Sequence, residues 1–536
     1  MAPIAPLPRR ALASLEGLAG RPLGAVLLFG LGLAVYAGRA GAWPLAAGRD
    51  LDEYLYAYVQ LFDRDVLLPW SLLFRTPLTP LVAGGALDLA GGALAEPLAA
   101  CLFAASVVAW SAAASAFGPW AALLVAAALL VYPGYGLMFH ELASETVFAA
   151  AFALFALLAV RASFGPSTGR FAVVGLAVAL LAFARPGNAV LLAFAAFPFF
   201  LSHPWRERVR FAGTLALAAA VPLAAWTVHN GLRFDTWALA RGGNAIVPFY
   251  RAFIADRIVR AENGDASRRL AGAMQRHLLT REPYRSYGVT LDRLFREGSF
   301  RVHEDLYLLS DQVFGWDTDY RVLRDAGVEA VRASPGRYAR GVLGTIRDQL
   351  AKAYFRAGPT SSAAPDGARA PTRPRGRALP PPSEGEPIPA GQVVWISRPD
   401  QAIRQVWTSA TEWHLEFDRP GDRARLRAIE RRRDELLAAL PDRRGDAELG
   451  RRLNQLSRWF PRPWLWIAAG LLGIALRRPR AAGTALAVGA AALAVVVLNA
   501  LGLFADPHFV LPVAPAFVFL GAVGLLGRRP SEWGRE

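Results

Sequence analysis

About ten apolar blocks, strung between arginine-rich connections, constrain this chain more than any other feature. They cover approximately 22–38, 94–117, 119–133, 146–161, 170–184, 188–202, 211–229, 463–477, 482–503 and 509–527. A helix needs roughly 20 apolar residues to cross the hydrocarbon of a bilayer, and fewer inside a packed bundle. Backbone amides cannot go unpaired in lipid, so such blocks fold as helices. The expected fold class is an all-α polytopic membrane protein with about ten transmembrane helices and a mainly helical loop domain on the outer face.

Composition supports that reading, with 54% hydrophobic residues among 536. The net charge of +16 comes almost wholly from arginine, since Lys352 is the only lysine. A nucleic-acid partner is not expected, because the arginines gather in connections between blocks and form no single basic patch. Cys101, the only cysteine, lies inside a block, so no intrachain disulfide can form. Basic residues precede the first block as in a signal peptide, but no small-residue cleavage site leads into a soluble domain, so a retained first span is expected. Five arginine clusters set the orientation: Arg9, Arg10 and Arg21; Arg161 and Arg170; Arg206, Arg208 and Arg210; Arg477, Arg478 and Arg480; Arg528 and Arg529. With ten spans all five fall on one face, which should be cytoplasmic.

The opposite face collects a different set. Asp50, Asp52 and Glu53 lie there with Tyr54, Tyr56 and Tyr58, followed by Arg75, then His140, Glu141 and Glu145. Arg185-Pro186-Gly187-Asn188, His229-Asn230 and Asp506-Pro507-His508 complete it. Carboxylates beside a bilayer are costly unless water, a cation or a partner meets them, so their convergence marks a candidate active site on the outer face. His140 and Glu141 are neighbours, and on a helix such residues point about 100° apart, so metal binding is not expected. The chain holds no glycine-rich phosphate loop, no HExxH, no paired CxxC and no GxSxG.

The expected organisation follows. Residues 1–21 form a cytoplasmic N-terminus and 22–229 a transmembrane module whose first outer loop, 39–93, is catalytic. In that loop Tyr54–Asp65 has the spacing of an interfacial helix, and Pro77 and Pro80 preclude a continuous helix beyond it. An outer loop domain over 230–356 is anchored by Trp237, Phe249, Tyr250, Phe253, Tyr284, Tyr287 and Trp316, and includes an amphipathic helix over Tyr338–Phe355. A Pro-, Ala- and Gly-rich disordered linker covers 357–393. An outer helical hairpin segment covers 394–462, with Leu426, Ile429, Leu436, Leu437 and Leu440 on one side and a solvated arginine–glutamate face on the other. Residues 463–527 hold the last spans and 528–536 a cytoplasmic tail.

The order of these features resembles the GT-C membrane glycosyltransferases, in particular the dolichyl-phosphate-mannose-protein mannosyltransferase-like family that includes lipid A aminoarabinose transferases. Asp52-Glu53-Tyr54-Leu55 resembles the acidic motif of the family's first outer loop, and Arg75-Thr76-Pro77-Leu78-Thr79-Pro80-Leu81 its proline motif. Glu145 after Tyr132-Pro133-Gly134, and Ala184-Arg185-Pro186-Gly187-Asn188, stand as in the family. Trp226-Thr227-Val228-His229-Asn230 through Gly242-Gly243-Asn244 resembles the segment after span seven. Two departures stand out: His229 replaces the usual arginine, and Asp506-Pro507-His508 occupies the place of an arginine–tyrosine pair. The resemblance covers about 22–250 and 463–527; the 357–460 insertion has no counterpart in it.

The resemblance implies inverting transfer of a sugar from a polyprenyl-phosphate donor to an envelope glycan, lipid or protein, without a cofactor or metal, at the bacterial inner membrane. Asp52 is then the general base, Asp50 the fallback and Glu53 a neighbour orienting the acceptor. The leaving group is a stable phosphate anion, so positive charge on it matters more than a strong acid. Arg185, placed at the cavity rim by the break at Pro186-Gly187, is the candidate phosphate ligand, with Arg75 and His508 behind it; each also has a plainer role, snorkelling or capping a span. Glu145 is either a helix-start carboxylate or the partner that holds an arginine. His140, Glu141, His229, Asn230 and Asn244 are supporting candidates. Two other functions fit the same layout: a transporter or flippase of lipid-linked sugars, and a non-catalytic scaffold. No internal repeat supports the former.

Overall fold

The computed structural model describes residues 22–282, 284–297, 302–352, 403–407, 413–417, 419–503 and 505–528. The expected linker 357–393 and the two tails, 1–21 and 529–536, lie outside the described residues.

Each of the ten apolar blocks coincides with helix. Among the described residues, five helices are long and apolar enough to cross a membrane. These are α1 (Pro22–Ala40), α4 (Gly92–Ser115), α6 (Ser144–Phe164), α8 (Trp205–Phe234) and α12 (Ala482–Gly502), the other labels following chain order: α2 (Leu51–Gln60), α3 (Leu78–Ala90), α5 (Pro119–Val131), α7 (Thr168–Ala184), α9 (Asp422–Ala438), α10 (Ala447–Ser457), α11 (Pro463–Arg477) and α13 (Ala514–Leu526). The remaining blocks are shorter helices, and that over 188–202 is a 3-10 helix, Pro186–Phe200. The last block is split: a turn at 511–513 separates Pro507–Val510 from α13. Pro512 and Pro515 explain the break, since neither can donate a helical hydrogen bond.

One helix arises where a connection was expected. α3 starts directly after Pro77 and carries Pro80 in its first turn, where a missing N–H costs nothing. The two prolines therefore start a helix, and the preceding one ends at Leu73.

Apolar exposure follows position in the bundle. α6 is its most enclosed long helix, while α1 turns Leu23, Val26 and Leu27 outward, as a helix at the lipid boundary should. Helices close on one another through small residues. A side chain built at Gly524 would place its Cβ 2.4 Å from the Gly470 carbonyl oxygen, and one at Gly175 would meet the Leu215 carbonyl oxygen at 2.3 Å. Such contacts let backbones approach where lipid supplies no hydrophobic drive. Gly524→Leu is expected to separate α11 from α13 and cost at least about 1–3 kcal/mol, read as a lower melting temperature in detergent.

The outer loop domain has its own core, with Phe249, Phe253, Leu270, Tyr284, Tyr307 and Leu323 buried together. Trp316 belongs to a second cluster with Leu72, Leu73 and Phe234, which seats this domain on the first outer loop. Trp237, expected as an anchor, is 63% exposed, although its ring covers Gly231. The amphipathic helix occupies Pro335–Ala351.

The segment expected as a helical hairpin differs most. It begins with an antiparallel strand pair, β3 (Ile403–Trp407) and β4 (Trp413–Phe417), in register Ile403↔Phe417. Its helices α9 and α10 do not close on each other. α9 packs along α2, burying Leu426, Ile429 and Leu436, and α10 lies against the 133–138 turn. Part of its arginine face is therefore engaged with the first outer loop and the start of α4: Arg432 pairs with Asp88, Arg425 with Asp65 and Arg443 with Glu96.

Candidate active site

A two-residue parallel bridge sets the site. β1 (Ala46–Ala47) pairs with β2 (Glu141–Leu142), and the Gly48 N–H donates to the Leu142 carbonyl at 3.2 Å. A Cβ at Gly48 would lie 2.5 Å from the Ala143 Cβ, so only glycine lets the two chains run this close. The bridge holds the start of α2 beside the start of α6, where Ser144 and Glu145 stand. Asp50 then turns the chain in the left-handed region, φ 59°, and its carbonyl accepts the Glu53 and Tyr54 N–H groups. Aspartate tolerates that conformation better than most residues. Asp52 and Glu53 occupy the first turn of α2, where the helix dipole favours anions.

From there one network of charges runs through five separate segments. Arg75 pairs with Glu53, stands 3.5 Å from Asp50, and its guanidinium carbon lies 5.0 Å from the Tyr54 ring centroid. Arg49 links Asp50 at 3.8 Å to Asp506 at 4.0 Å. The Asp506 carboxylate is 3.5 Å from His508 Nε2 and accepts the His508 backbone N–H at 3.0 Å. His508 Nδ1 is 3.1 Å from Glu145. Glu145 pairs with Arg185 Nη2 at 3.2 Å, and Arg185 Nη1 donates to the His508 carbonyl, also at 3.2 Å. Thr79, in the proline motif, donates to the Ala184 carbonyl next to Arg185 at 3.1 Å. The network runs from an open rim, with Arg49 43% exposed, to a closed floor, with Glu145 4% exposed.

Tyr54 joins the two halves. Its hydroxyl lies by Ser144, and Arg185, Glu145 and Asp50 are its charged neighbours. Burial holds this phenol well above the usual tyrosine range, with the Arg185 charge opposing, so it stays protonated. Asp52 differs from its neighbours: it is half-buried and has neither ion pair nor hydrogen bond among the described residues. Asp50 and Glu53 are tied to arginine, which leaves Asp52 as the uncommitted carboxylate of the three.

Other candidates lie apart from this network. The His140 ring is fully buried and stacked on Tyr36 at 4.0 Å, beside Arg39. Burial, and then the Arg39 charge, push its pKa down to about 3. A folded histidine that stays neutral while its unfolded form binds a proton below about 6.5 makes the protein lose stability as pH falls through the window between those values. Melting temperature should drop on acidification below about 6.5, and His140→Phe, which keeps the ring stacking, should flatten that dependence. Glu141 takes part through its backbone, in β2 and as acceptor for the Thr146 hydroxyl. Among the described residues no group of three or more His, Cys, Asp or Glu could hold a metal ion.

His229 stacks on Trp226 at 4.9 Å, and the buried Asn230 side chain donates to the Ala238 and Leu239 carbonyls, closing the turn after α8. The Asn244 side chain lies outside the described part of the structure. Its neighbour Arg241, not singled out in the sequence, is buried against the Trp316 ring at 3.5 Å, pairs with Asp311 and donates to the Tyr320 hydroxyl. Those partners are 70 and 79 residues away, beyond any spacing signal. Tyr54 and Asp506, set on the outer face by the sequence but given no role there, join this network with Arg49 and Ser144.

No family model and no curated protein matches this chain. Among solved structures it is similar to ArnT from Cupriavidus metallidurans bound to undecaprenyl phosphate, at 13% identity and TM-score 0.33, over 94% of this chain and 77% of that one. The apo form of the same protein gives 14% identity and TM-score 0.30, over 93% and 76%. The Saccharomyces cerevisiae protein O-mannosyltransferase Pmt1–Pmt2 complex bound to the sugar donor gives 17% identity and TM-score 0.32, over 45% of this chain. This chain spans 38% of the length of that one. It is similar to both proteins and close to neither. The case for function rests on the site's own residues.

Proposed function

We propose that this is a membrane glycosyltransferase that moves a sugar from a polyprenyl-phosphate donor to an acceptor hydroxyl on the outer face. The observation that carries this reading is the continuous network at the ends of α2, α6 and α7, in which Arg75 and Arg185 pair with Glu53 and Glu145 while Asp52, next to Glu53 in the chain, has no partner among the described residues. A hydroxyl is a poor nucleophile at neutral pH and needs a base within hydrogen-bond reach. Asp52 fits that part because no cation neutralises it. Attack from its side, opposite the departing phosphate, inverts the anomeric carbon. The phosphate leaves as an anion, and Arg185, with Arg75 nearer the rim, supplies the charge that stabilises it. Glu145 and His508 hold Arg185 in place, a role the resemblance alone left open.

Both ends of the arginine-flanked helices agree with an outward-facing site. Glu145 opens α6 and Arg161 lies in its last turn, while Arg170 lies near the start of α7 and Arg185 caps its end. Arg161 and Arg170 therefore lie at the helix ends opposite the network, which by the positive-inside bias supports a network on the outer face. The test supplies purified protein with polyprenyl-phosphate sugars of several kinds and a membrane extract as acceptor, and follows labelled sugar. Transfer from at least one donor is expected; no transfer from any of them overturns the reading.

A further inference from the structure

The 419–460 segment, which has no place in the resemblance, grips the first outer loop at both ends and in the middle. At one end the Asp446 N–H donates to the Gly41 carbonyl at 2.8 Å, directly after α1. At the other, the Ala439 carbonyl accepts the Gly92 N–H at 2.8 Å, at the start of α4. Between them α9 lies on α2. Its residues Leu426 and Ile429 pack with Tyr56, Leu67 and Leu68. Arg433, 9% exposed, donates to the hydroxyl of the fully buried Tyr56 and lies 4.5 Å from that ring's centroid. Arg432 pairs with Asp88, which also accepts the Tyr58 hydroxyl at 2.8 Å.

The spacing gives this grip a consequence. Tyr56 follows Asp52 by four residues, so both lie on one side of α2, about one turn apart. A buried, charge-assisted hydrogen bond is stronger and more directional than an exposed one. We propose that Arg433 is a positioning residue for the transfer: through Tyr56 it fixes the rotation and depth of α2, and so the place of the Asp52 carboxylate. Arg433 touches no candidate substrate group itself. Asp52 has no partner of its own among the described residues, so its aim depends on how firmly the helix beneath it is seated. The inference rests on the transferase reading for its kinetic consequence, but not for its mechanical one.

The test uses the full chain and the variants Arg433→Ala, Arg433→Lys and Tyr56→Phe, with two readouts. In transfer assays kcat should fall about 10- to 100-fold in Arg433→Ala, as expected for a base displaced by about an ångström, while the donor KM stays within about 3-fold. Arg433→Lys, which keeps the charge but loses the fork, should recover part of the loss. Tyr56→Phe removes only the hydroxyl and covers the case in which Arg433→Ala does not fold. The double variant should be no worse than the poorer single, because both break one contact. In hydrogen exchange, the amides of Leu51–Gln60 should exchange about 10-fold faster in the variants, with the outer loop core unchanged. Unaltered kcat, a rise in KM alone, or additive losses in the double variant overturn the proposal. If the wild type transfers no sugar, the transferase reading falls, and exchange decides on the clamp: acceleration confined to α2 upholds it, and no change overturns it.

Discussion

Asp52→Asn is expected to abolish sugar transfer while the protein folds and binds its lipid donor as before. The amide keeps the size of the carboxylate but cannot accept the acceptor's proton, and loss of a positioned base costs typically 10²–10⁴-fold. Asp52 has no partner among the described residues to lose, so the stability change should stay within about 0.5 kcal/mol. Asp50→Asn is the control. It removes a carboxylate that Arg75 and Arg49 already engage. It should therefore loosen the network with a smaller loss of rate. Measuring kcat, donor binding and melting temperature for both variants separates the roles. Full transfer by Asp52→Asn would move the base elsewhere, and a collapse confined to Asp50→Asn would name its replacement.

Arg185→Ala should have the second largest effect, and the structure gives it two components. The first is chemical: the lipid phosphate loses the cation at the floor of the site, so transfer should fall by about 10²–10³-fold, as when an oxyanion donor is removed. The second is structural. Glu145 is 4% exposed and pairs with Arg185, so the substitution strands a buried carboxylate. Breaking such a pair costs roughly 3–5 kcal/mol, here toward the lower end because His508 remains beside Glu145. The double variant Arg185→Ala, Glu145→Gln removes the stranded charge. It should regain most of the melting temperature and none of the activity. Recovery of both would make Arg185 a brace for Glu145 and remove it from phosphate binding.

Much of this was legible before any coordinates, for reasons that differ between elements. Helix α12 and its neighbours follow from composition alone, because an apolar stretch in lipid has no other way to pair its amides. The first turn of α2 was legible because three carboxylates within four residues beside a bilayer demand an explanation. Arg185 stood out because Pro186 ends its helix at a membrane edge. The prolines at 77 and 80 were legible in part: no helix runs through 74–77, as expected, but a proline that breaks a helix from one side can begin one from the other, as it does in α3. The arginines of the 419–460 segment were legible in part: Arg425, Arg432 and Arg443 are 37–57% exposed, as on a solvated face, yet each is also paired. A row of charges reads as solvated surface until another element supplies its partners, and Asp65, Asp88 and Glu96 lie more than 300 residues away in the chain.

Hydropathy and charge bias, local quantities that can be summed along the chain, determined that this protein is a helical bundle and which residues gather toward one set of helix ends. Tertiary structure alone decided which of those residues touch. The parallel bridge between Ala46–Ala47 and Glu141–Leu142 brings α2 against α6, and residues 419–460 close over the loop between them. Such choices depend on the fit of surfaces from distant parts of the chain, and ion pairs form wherever that fit leaves them within reach. That is why Asp50 and Glu53 are committed to Arg75 while Asp52, beside Glu53, has no partner among the described residues.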